Sequence, residues 1–465
     1  MNMINVRRLA VMTFLGAGML SDISAQDFSL QADTLNEARL PAQWDLQSCI
    51  DYALEQNITI RKNRVTAEST QIDVKTAKAA LFPSLSFSTS QQVVNRPYQE
   101  TSSRVSGSEI ISSNSKTSYN GNYGLNASWT IYNGSKRLKT LKQERLNNQV
   151  AELDIATSEN TIKESIAQIY IQILYAAESV RVNENTLQVS IAQRDRGQEL
   201  LNAGSIAKSD FAQLEAQVST DRYQLVTAQA TLQDYKLQLK QLLELDGENE
   251  MNVYLPNLSD ENVLAPLPAK KDVYVSALAI RPEIEASKLN VEASELGIDI
   301  AKSSYFPTIS LSAGIGTNHT SGSDFTFGEQ VKNGWSNSIG LSVSVPIFNN
   351  RQTKSAVQKA RLQRETNMLS LLDEQKALYK TIESLWLDAN SAQQRYAAAN
   401  EKLRSTQISY DLISEQFNLG MKNKVELLTE KNNLLQAQQE QLQAKYMAIL
   451  NTQLLKFYQG DKLTL

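Results

Sequence analysis

The chain contains no proline over two long stretches, residues 98–255 and 347–465. Both are rich in Ala, Leu, Gln, Glu and Lys, which are strong helix formers, and a helix over 135–201 would be about 100 Å long. Each stretch is divided by a glycine, Gly204 or Gly420, where a helix commonly ends. We therefore predict two long helical hairpins. Their helices are residues 135–201, 208–245, 351–418 and 424–458.

The returning segment of the first hairpin carries apolar side chains that recur every seven residues. These positions are Phe211, Val218, Leu225, Leu232 and Leu239. The companion positions are Leu214, Ala228, Tyr235 and Leu242, and Asp221 interrupts this second series. Sustained heptads are typical of helices packed as coiled coils. We expect this segment to pack along the helix that precedes it.

The two hairpins belong to an internal repeat. Three pairs of segments correspond in the same order: 77–86 with 301–310, 128–133 with 344–349, and 202–204 with 418–420. Ordered correspondence of this kind indicates a duplicated unit. We place the first structural repeat at 26–246 and the second at 272–465, and we expect each repeat to begin with one helix before its strands. The connector between them, 247–271, contains three prolines and is predicted to be irregular.

Four further segments alternate apolar with small polar side chains at a period of two. They are residues 84–94, 118–132, 308–317 and 337–348. Strands of about ten residues with one apolar face match a transmembrane β-barrel, although a sheet with one wet face in a soluble protein fits the same pattern. Because lipid tolerates no open strand edge, four strands would have to close a barrel with other copies, as a dimer, trimer or tetramer.

The N-terminus has the layout of a secretory signal, with Arg7-Arg8, an apolar run over 9–20 and small residues up to Ala25. We predict that residues 1–25 are a signal peptide and that the protein works outside the cytoplasm. No run of about 18 apolar residues occurs, so a bundle of membrane-spanning helices is excluded.

The composition argues against an enzyme, a cofactor protein and a nucleic-acid binder. The formal net charge is −4, whereas nucleic-acid binders carry a basic surplus. His319 is the only histidine and lies in a predicted Gly/Ser-rich loop, and Cys49 is the only cysteine, which excludes a disulfide framework. We expect Cys49 to be a small buried apolar residue. We therefore predict no catalytic residue, no metal and no cofactor.

This layout resembles the outer membrane efflux protein family of the TolC type. The resemblance is carried by Phe82-Pro83, Phe306-Pro307, the strand ends 131–133 and 347–349, Gly204 and Gly420. It implies a mainly α fold with a β membrane part, in which a trimeric 12-stranded outer-membrane β-barrel, with four strands per chain, is continued by a long periplasmic α-helical coiled-coil barrel. The connector 247–271 would belong to an equatorial girdle.

The resemblance also implies a function. Members are exit ducts, so the chain is expected to be the outer-membrane channel of a tripartite efflux system. As a homotrimer surrounded by outer-membrane lipid, it would pass small molecules or drugs from a periplasmic adaptor (membrane fusion) protein and an inner-membrane pump of the resistance-nodulation-division type to the exterior. One alternative is type I protein secretion with an ABC exporter. Another is a structural periplasmic coiled coil, which leaves the four strands unexplained.

Finally, the resemblance implies functional residues at the helix tips. The expected periplasmic gate residues are Asp210, Lys422 and Glu426, and the expected adaptor-contacting residues are Gly204, Ser205, Gly420 and Met421. Two positions depart from the family pattern: Phe417 stands in place of a tyrosine, and Thr429 stands in place of an acidic residue. Glu430, one residue further, is a candidate substitute. Ordinary solvated helix ends would explain the same charged side chains.

Overall fold

The computed structural model describes residues 41–98, 102–106, 109–113, 116–246, 251–256, 263–321, 323, 325–419 and 421–464. The predicted signal peptide and Gly420 lie outside the described residues. The chain divides into two units. In the smaller unit, the Trp44 amide donates to the Asn252 carbonyl and the Tyr254 amide donates to the Trp44 carbonyl, each at 2.8 Å. The elements that follow belong to the larger unit.

The larger unit contains two similar series of elements. The first series is α1 (Leu46–Gln56), α2 (Ile58–Ala79), β1 (Ser84–Asn95), β2 (Ser102–Ser106), β3 (Glu109–Ser113), β4 (Thr117–Asn133), α3 (Lys136–Asn202) and α4 (Lys208–Leu242). The second series is α5 (Lys270–Ile280), α6 (Pro282–Ser303), β5 (Thr308–Thr320), α7 (Phe327–Asn333), β6 (Ser336–Ser344), α8 (Gln352–Asn418) and α9 (Lys424–Gln459).

The helices α3 and α8 have 67 residues each and are therefore about 100 Å long. At the end of α3, Gly204 adopts a left-handed conformation with a φ of 76°, and the Ser205 amide donates to the Leu200 carbonyl at 2.8 Å. This arrangement satisfies carbonyls of the last turn and lets the chain reverse. The helix α4 then packs along α3 through buried heptad side chains such as Leu214 and Leu239. Among the described helices, none combines the length and the apolar character needed to cross a membrane.

The strands β1, β4, β5 and β6 form an antiparallel sheet in that order. Its register aligns apolar positions across the sheet, because Leu341 pairs with Leu311, and Leu311 pairs with Trp129. The neighbouring positions align small polar residues, with Ser342 opposite Ser310. One face of the sheet is therefore apolar, and the other consists mainly of Ser, Thr, Gly and Asn.

The outer strands of this sheet are β1 and β6. Within the described part of the chain, neither has a strand partner on its outer side. Their unpaired backbone groups would have to be satisfied by another chain if the sheet lay in lipid.

Each repeat begins with two helices where the sequence analysis expected one. Asn57 separates α1 from α2 and caps α2, with its side-chain oxygen accepting from the Thr59 amide at 2.9 Å. Pro282 is the first residue of α6, directly after α5. A proline suits the first position of a helix, but it lacks the amide hydrogen that a continuous helix would need there.

Regular structure also occurs in the two segments that connect β1 to β4 and β5 to β6. The loop after β1 contains the antiparallel hairpin of β2 and β3. The loop after β5 contains α7, whose first turn is held by a capping box in which Thr326 and Glu329 bond reciprocally to each other's backbone amides.

Two strand ends differ from the prediction. The strand β6 ends at Ser344, because Pro346 cannot donate a ladder hydrogen bond, so the predicted end at 348 is wrong. The strand β5 continues to Thr320, which places His319 in a strand and not in a loop. The His319 ring contacts Tyr119, with 5.3 Å between ring centroids, and Phe327, with 5.0 Å.

Candidate functional site

The turns that close the two hairpins lie at the tips of the long helices. Ser205 and Met421 are exposed there, and Gly420 lies outside the described residues. Met421 is 71 % exposed and Leu419 is 70 % exposed, so the second tip presents two large apolar side chains to solvent. Asn423 caps α9, with its side-chain oxygen accepting from the Glu426 amide at 3.0 Å.

The Asp210 carboxylate in the first turn of α4 accepts a hydrogen bond from the Lys424 ammonium in the first turn of α9. This ion pair joins the two hairpins of one chain near their tips. The hydrogen bond from Lys424 lowers the pKa of Asp210 below its ordinary value of 3.8. Because the side chain of Asp210 is 37 % exposed, water and salt screen the pair.

The other two predicted gate residues contact each other. The Lys422 ammonium lies 2.5 Å from a carboxylate oxygen of Glu426, which follows it by four residues. The side-chain amide of Asn423 donates to the other Glu426 oxygen at 3.0 Å. Within one chain, the structure therefore brings Asp210 to Lys424 and not to Lys422. Glu430 accepts a hydrogen bond from Ser409 of α8 at 3.1 Å, so it is engaged within its own hairpin.

A second ion pair between the hairpins is almost completely buried. Lys431 of α9 donates hydrogen bonds to the Asp221 carboxylate of α4 and to the Ser190 hydroxyl of α3, and Ser190 donates to Asp221. Gln217 donates to the remaining Asp221 oxygen at 2.9 Å. The exposed fractions are 4 % for Lys431, 3 % for Asp221 and 2 % for Ser190. We call Ser190, Asp221 and Lys431 the buried cluster.

The sequence analysis missed this cluster, although one signal pointed to it. Asp221 occupies an apolar heptad position, and a charge there requires a partner because isolated buried charges are very unfavourable. Burial lowers the pKa of Lys431, although the hydrogen bond and charge of Asp221 oppose this shift. Serine and lysine also form nucleophilic dyads in hydrolases. Here the burial of all three side chains leaves no surface that a substrate could reach.

A third polar cluster fastens the far end of α9. The buried Arg281 guanidinium lies 2.8 Å from Glu164 of α3, and it stacks over the Tyr458 ring of α9 at 3.6 Å from the ring centroid. Burial raises the pKa of Glu164, while Arg281 opposes this effect. We call Arg281, Glu164 and Tyr458 the base cluster.

Cys49 is fully buried, as the sequence analysis expected, and this burial raises the pKa of its thiol to about 12.

The described residues contain no group of three or more His, Cys, Asp or Glu side chains that could hold a metal ion. What the site does contain is a set of charged contacts between long helices, combined with exposed tips and a sheet that has one apolar face. This combination matches the architecture expected of an outer-membrane channel component.

The family model of the outer membrane efflux protein family matches residues 49–244 and 273–460. The chain belongs to this family, which confirms the resemblance and the location in the bacterial outer membrane. The chain is similar to the outer membrane efflux protein BepC of Brucella suis, with 24 % identity over 63 % of this chain and 61 % of the relative. It is also similar to the outer membrane protein TolC of Escherichia coli, with 24 % identity over 70 % of this chain and 66 % of the relative. It thus spans slightly less than two thirds of each.

Among solved structures, the chain is similar to CusC, which is described as undergoing transmembrane channel formation. The TM-score is 0.75 at 19 % identity, and the match covers 90 % of this chain and 92 % of CusC. At this identity the likeness establishes the fold. The predicted fold class, a mainly helical TolC-like chain with a four-stranded membrane part, is therefore confirmed.

Proposed function

We propose that the chain is the outer-membrane exit duct of a tripartite efflux system and that it acts as a homotrimer. The single observation that carries this proposal is a four-stranded sheet attached to hairpins about 100 Å long. The sheet has one apolar face, and within the described residues its edge strands β1 and β6 have no strand partner on their outer sides. Three such sheets, joined from β6 of one protomer to β1 of the next, close a barrel without an open edge. The apolar face then contacts lipid, and the small polar face lines a water-filled lumen.

The partners follow from the direction in which the helices project. The tips lie far from the sheet, so they reach into the periplasm, where an adaptor protein would hold them against an inner-membrane pump. The exposed Leu419 and Met421 fit such a contact, because exposed apolar groups on a tip lose water when a partner covers them. The transported compounds are small molecules or drugs.

Deletion of the gene tests the proposed transport role. We expect the deletion strain to become more susceptible to several unrelated toxic small molecules, and we expect the restored gene to reverse this change. The set of secreted proteins should stay the same. Loss of a secreted protein with unchanged susceptibility would instead favour type I secretion.

We further propose that Asp210, Lys422 and Glu426 form the periplasmic gate. In a trimer, three copies of Glu426 place negative charge around one narrow entrance and favour cations. Lys422 neutralises part of this charge, because it pairs with Glu426. The change Lys422→Glu adds repulsion between the tips, so we expect a higher single-channel conductance in planar bilayers. Because the pair is exposed, each copy contributes less than about 1 kcal/mol. Three copies together should therefore raise the open population by no more than roughly a hundredfold.

Glu426→Gln should shift the reversal potential towards zero in a salt gradient, since it removes the charge ring. The matched control is Lys288→Glu, which breaks an exposed ion pair with Glu285 on α6 at 3.1 Å. This control should change neither the single-channel conductance nor the reversal potential. If Lys422→Glu and Glu426→Gln both behave like the control, the gate assignment is wrong and the duct proposal stands.

The Asp210–Lys424 pair predicts a response to acid. Because Lys424 lowers the pKa of Asp210, the contribution of the pair is complete above the ordinary value of 3.8 and is lost as pH falls through the lowered value. We expect the conductance to rise when the tip-side compartment is acidified below about pH 4. Asp210→Asn should show the raised conductance at neutral pH and a smaller rise on acidification. Equal pH profiles for the two proteins would contradict this role.

A further inference from the structure

The buried cluster lies further from the tips than the proposed gate. On α4, Asp221 follows Asp210 by about three helical turns, and on α9, Lys431 follows Lys424 by about two turns. Both ion pairs thus join α4 to α9, with the acid on the first hairpin and the lysine on the second. Ser190 extends the inner pair to α3.

The two pairs differ strongly in their exposure to water. The outer pair is 37 % exposed at Asp210 and 13 % at Lys424, while the inner pair is 3 % and 4 % exposed. Salt and water screen an exposed pair, so it separates easily. Separation of a buried pair leaves two charges without compensation in a medium of low dielectric, which is far less favourable.

Both carboxylate oxygens of Asp221 accept hydrogen bonds within the protein. Ser190 donates to the same oxygen as Lys431, and Gln217 donates to the other oxygen at 2.9 Å. Satisfied polar networks of this kind fix the relative position of the helices that carry them. The base cluster holds the opposite end of α9 against α3. The buried cluster and the base cluster therefore both fasten the helix α9 to the first hairpin, whereas the Asp210–Lys424 contact near its tip is more exposed.

We propose that the buried cluster is the stop that limits how far the periplasmic entrance opens. Opening breaks the outer pair and separates the hairpin tips as far as the buried cluster, where α9 stays fixed to α3 and α4. This inference rests on the proposed duct function. Ser190, Asp221 and Lys431 act as positioning residues, because they determine which part of the hairpins moves and do not touch the transported compound.

Covalent links at the positions of the outer pair and of the inner pair test the proposal. One variant combines Asp210→Cys with Lys424→Cys, and the other combines Asp221→Cys with Lys431→Cys. A bis-methanethiosulfonate reagent with a two-carbon spacer bridges each pair of thiols, and the fully buried native Cys49 serves as an internal background. Each full-length trimer is recorded in planar bilayers before and after bridging, and after reduction of the bridge.

We expect opposite effects on channel opening when the outer pair and when the inner pair is bridged. Bridging 210 to 424 should abolish openings, and reduction should restore them. Bridging 221 to 431 should leave openings like those of the wild type, because the helices do not separate there. Without the bridge, the 221/431 variant should show a larger conductance than the wild type. Loss of openings on bridging 221 to 431, or wild-type conductance without that bridge, would overturn the proposal.

A second variant tests the proposal if the cysteine variant at 221 and 431 does not assemble. Asp221→Asn with Lys431→Gln keeps both side chains polar but removes both charges. It also weakens the contact, because Asn has one acceptor oxygen where Asp221 uses two and Gln is shorter than Lys. A raised conductance of this variant supports the stop, and an unchanged conductance overturns it. The wild-type recording distinguishes a failure of the duct proposal from a failure of the stop proposal. Absence of any wild-type pore contradicts the duct, whereas a normal wild-type pore leaves the variants to decide on the stop alone.

Discussion

Lys431→Met is expected to lower the free energy of unfolding of the helical region by about 3–5 kcal/mol. The methionine fills most of the volume of the lysine, but it leaves the Asp221 carboxylate buried with only Ser190 and Gln217 as donors. An uncompensated charge in a dry coiled-coil interface is the main physical reason for this loss. Urea unfolding of the detergent-solubilised protein, followed by helical circular dichroism, measures the change.

Lys376→Met is the matched control for this experiment. Lys376 is exposed on α8, so its loss should change the free energy of unfolding by less than about 0.5 kcal/mol. Adding Asp221→Leu to Lys431→Met should recover most of the loss, because an apolar pair of similar volume is often as stable as a buried ion pair. If Lys431→Met proves as mild as Lys376→Met, the buried cluster has no structural role.

Leu341→Asp is expected to destabilise the assembled sheet by about 2 kcal/mol per chain. Leu341 lies on the apolar face of β6, opposite Leu311, so the new carboxylate would enter the lipid. Its sequence neighbour Ser342 lies on the other face, and Ser342→Asp should be tolerated because that face contacts water in the lumen. The amount of heat-dissociable trimer in outer-membrane fractions, measured on a gel, compares the two variants. Equal losses at both positions would show that the two faces are wrongly assigned.

Much of the fold follows from local signals in the sequence. Proline-free stretches and strong helix formers indicate the long helices, and alternation of side chains indicates the sheet. Elements that depend on a single residue are harder to predict. Asn57 and Pro282 each divide a helix that periodicity treats as continuous. The alternation does extend to His319, through Ile315 and Thr317, but the intervening Gly and Asn residues are equally typical of a loop.

The functional contacts could be predicted only in part, because they join residues far apart in sequence. The partner of Asp210 is Lys424, whereas Lys422 was the expected basic residue. Lys422 lies in the turn before α9 and Lys424 lies in the first turn of α9, so the path of the chain at the tip decides which of the two lysines faces α4. The heptad interruption at Asp221 indicates a buried charge. Its partner Lys431 follows only from the packing of three helices.

Single-channel recording of the purified wild-type protein tests the central claim most directly. The full-length chain, isolated from outer membranes as a heat-dissociable trimer, is added to one side of a planar lipid bilayer in a salt gradient. We expect stepwise, cation-selective conductance from the trimer and none after heat dissociation. A stable trimer that inserts into the bilayer without conducting ions would contradict the duct function.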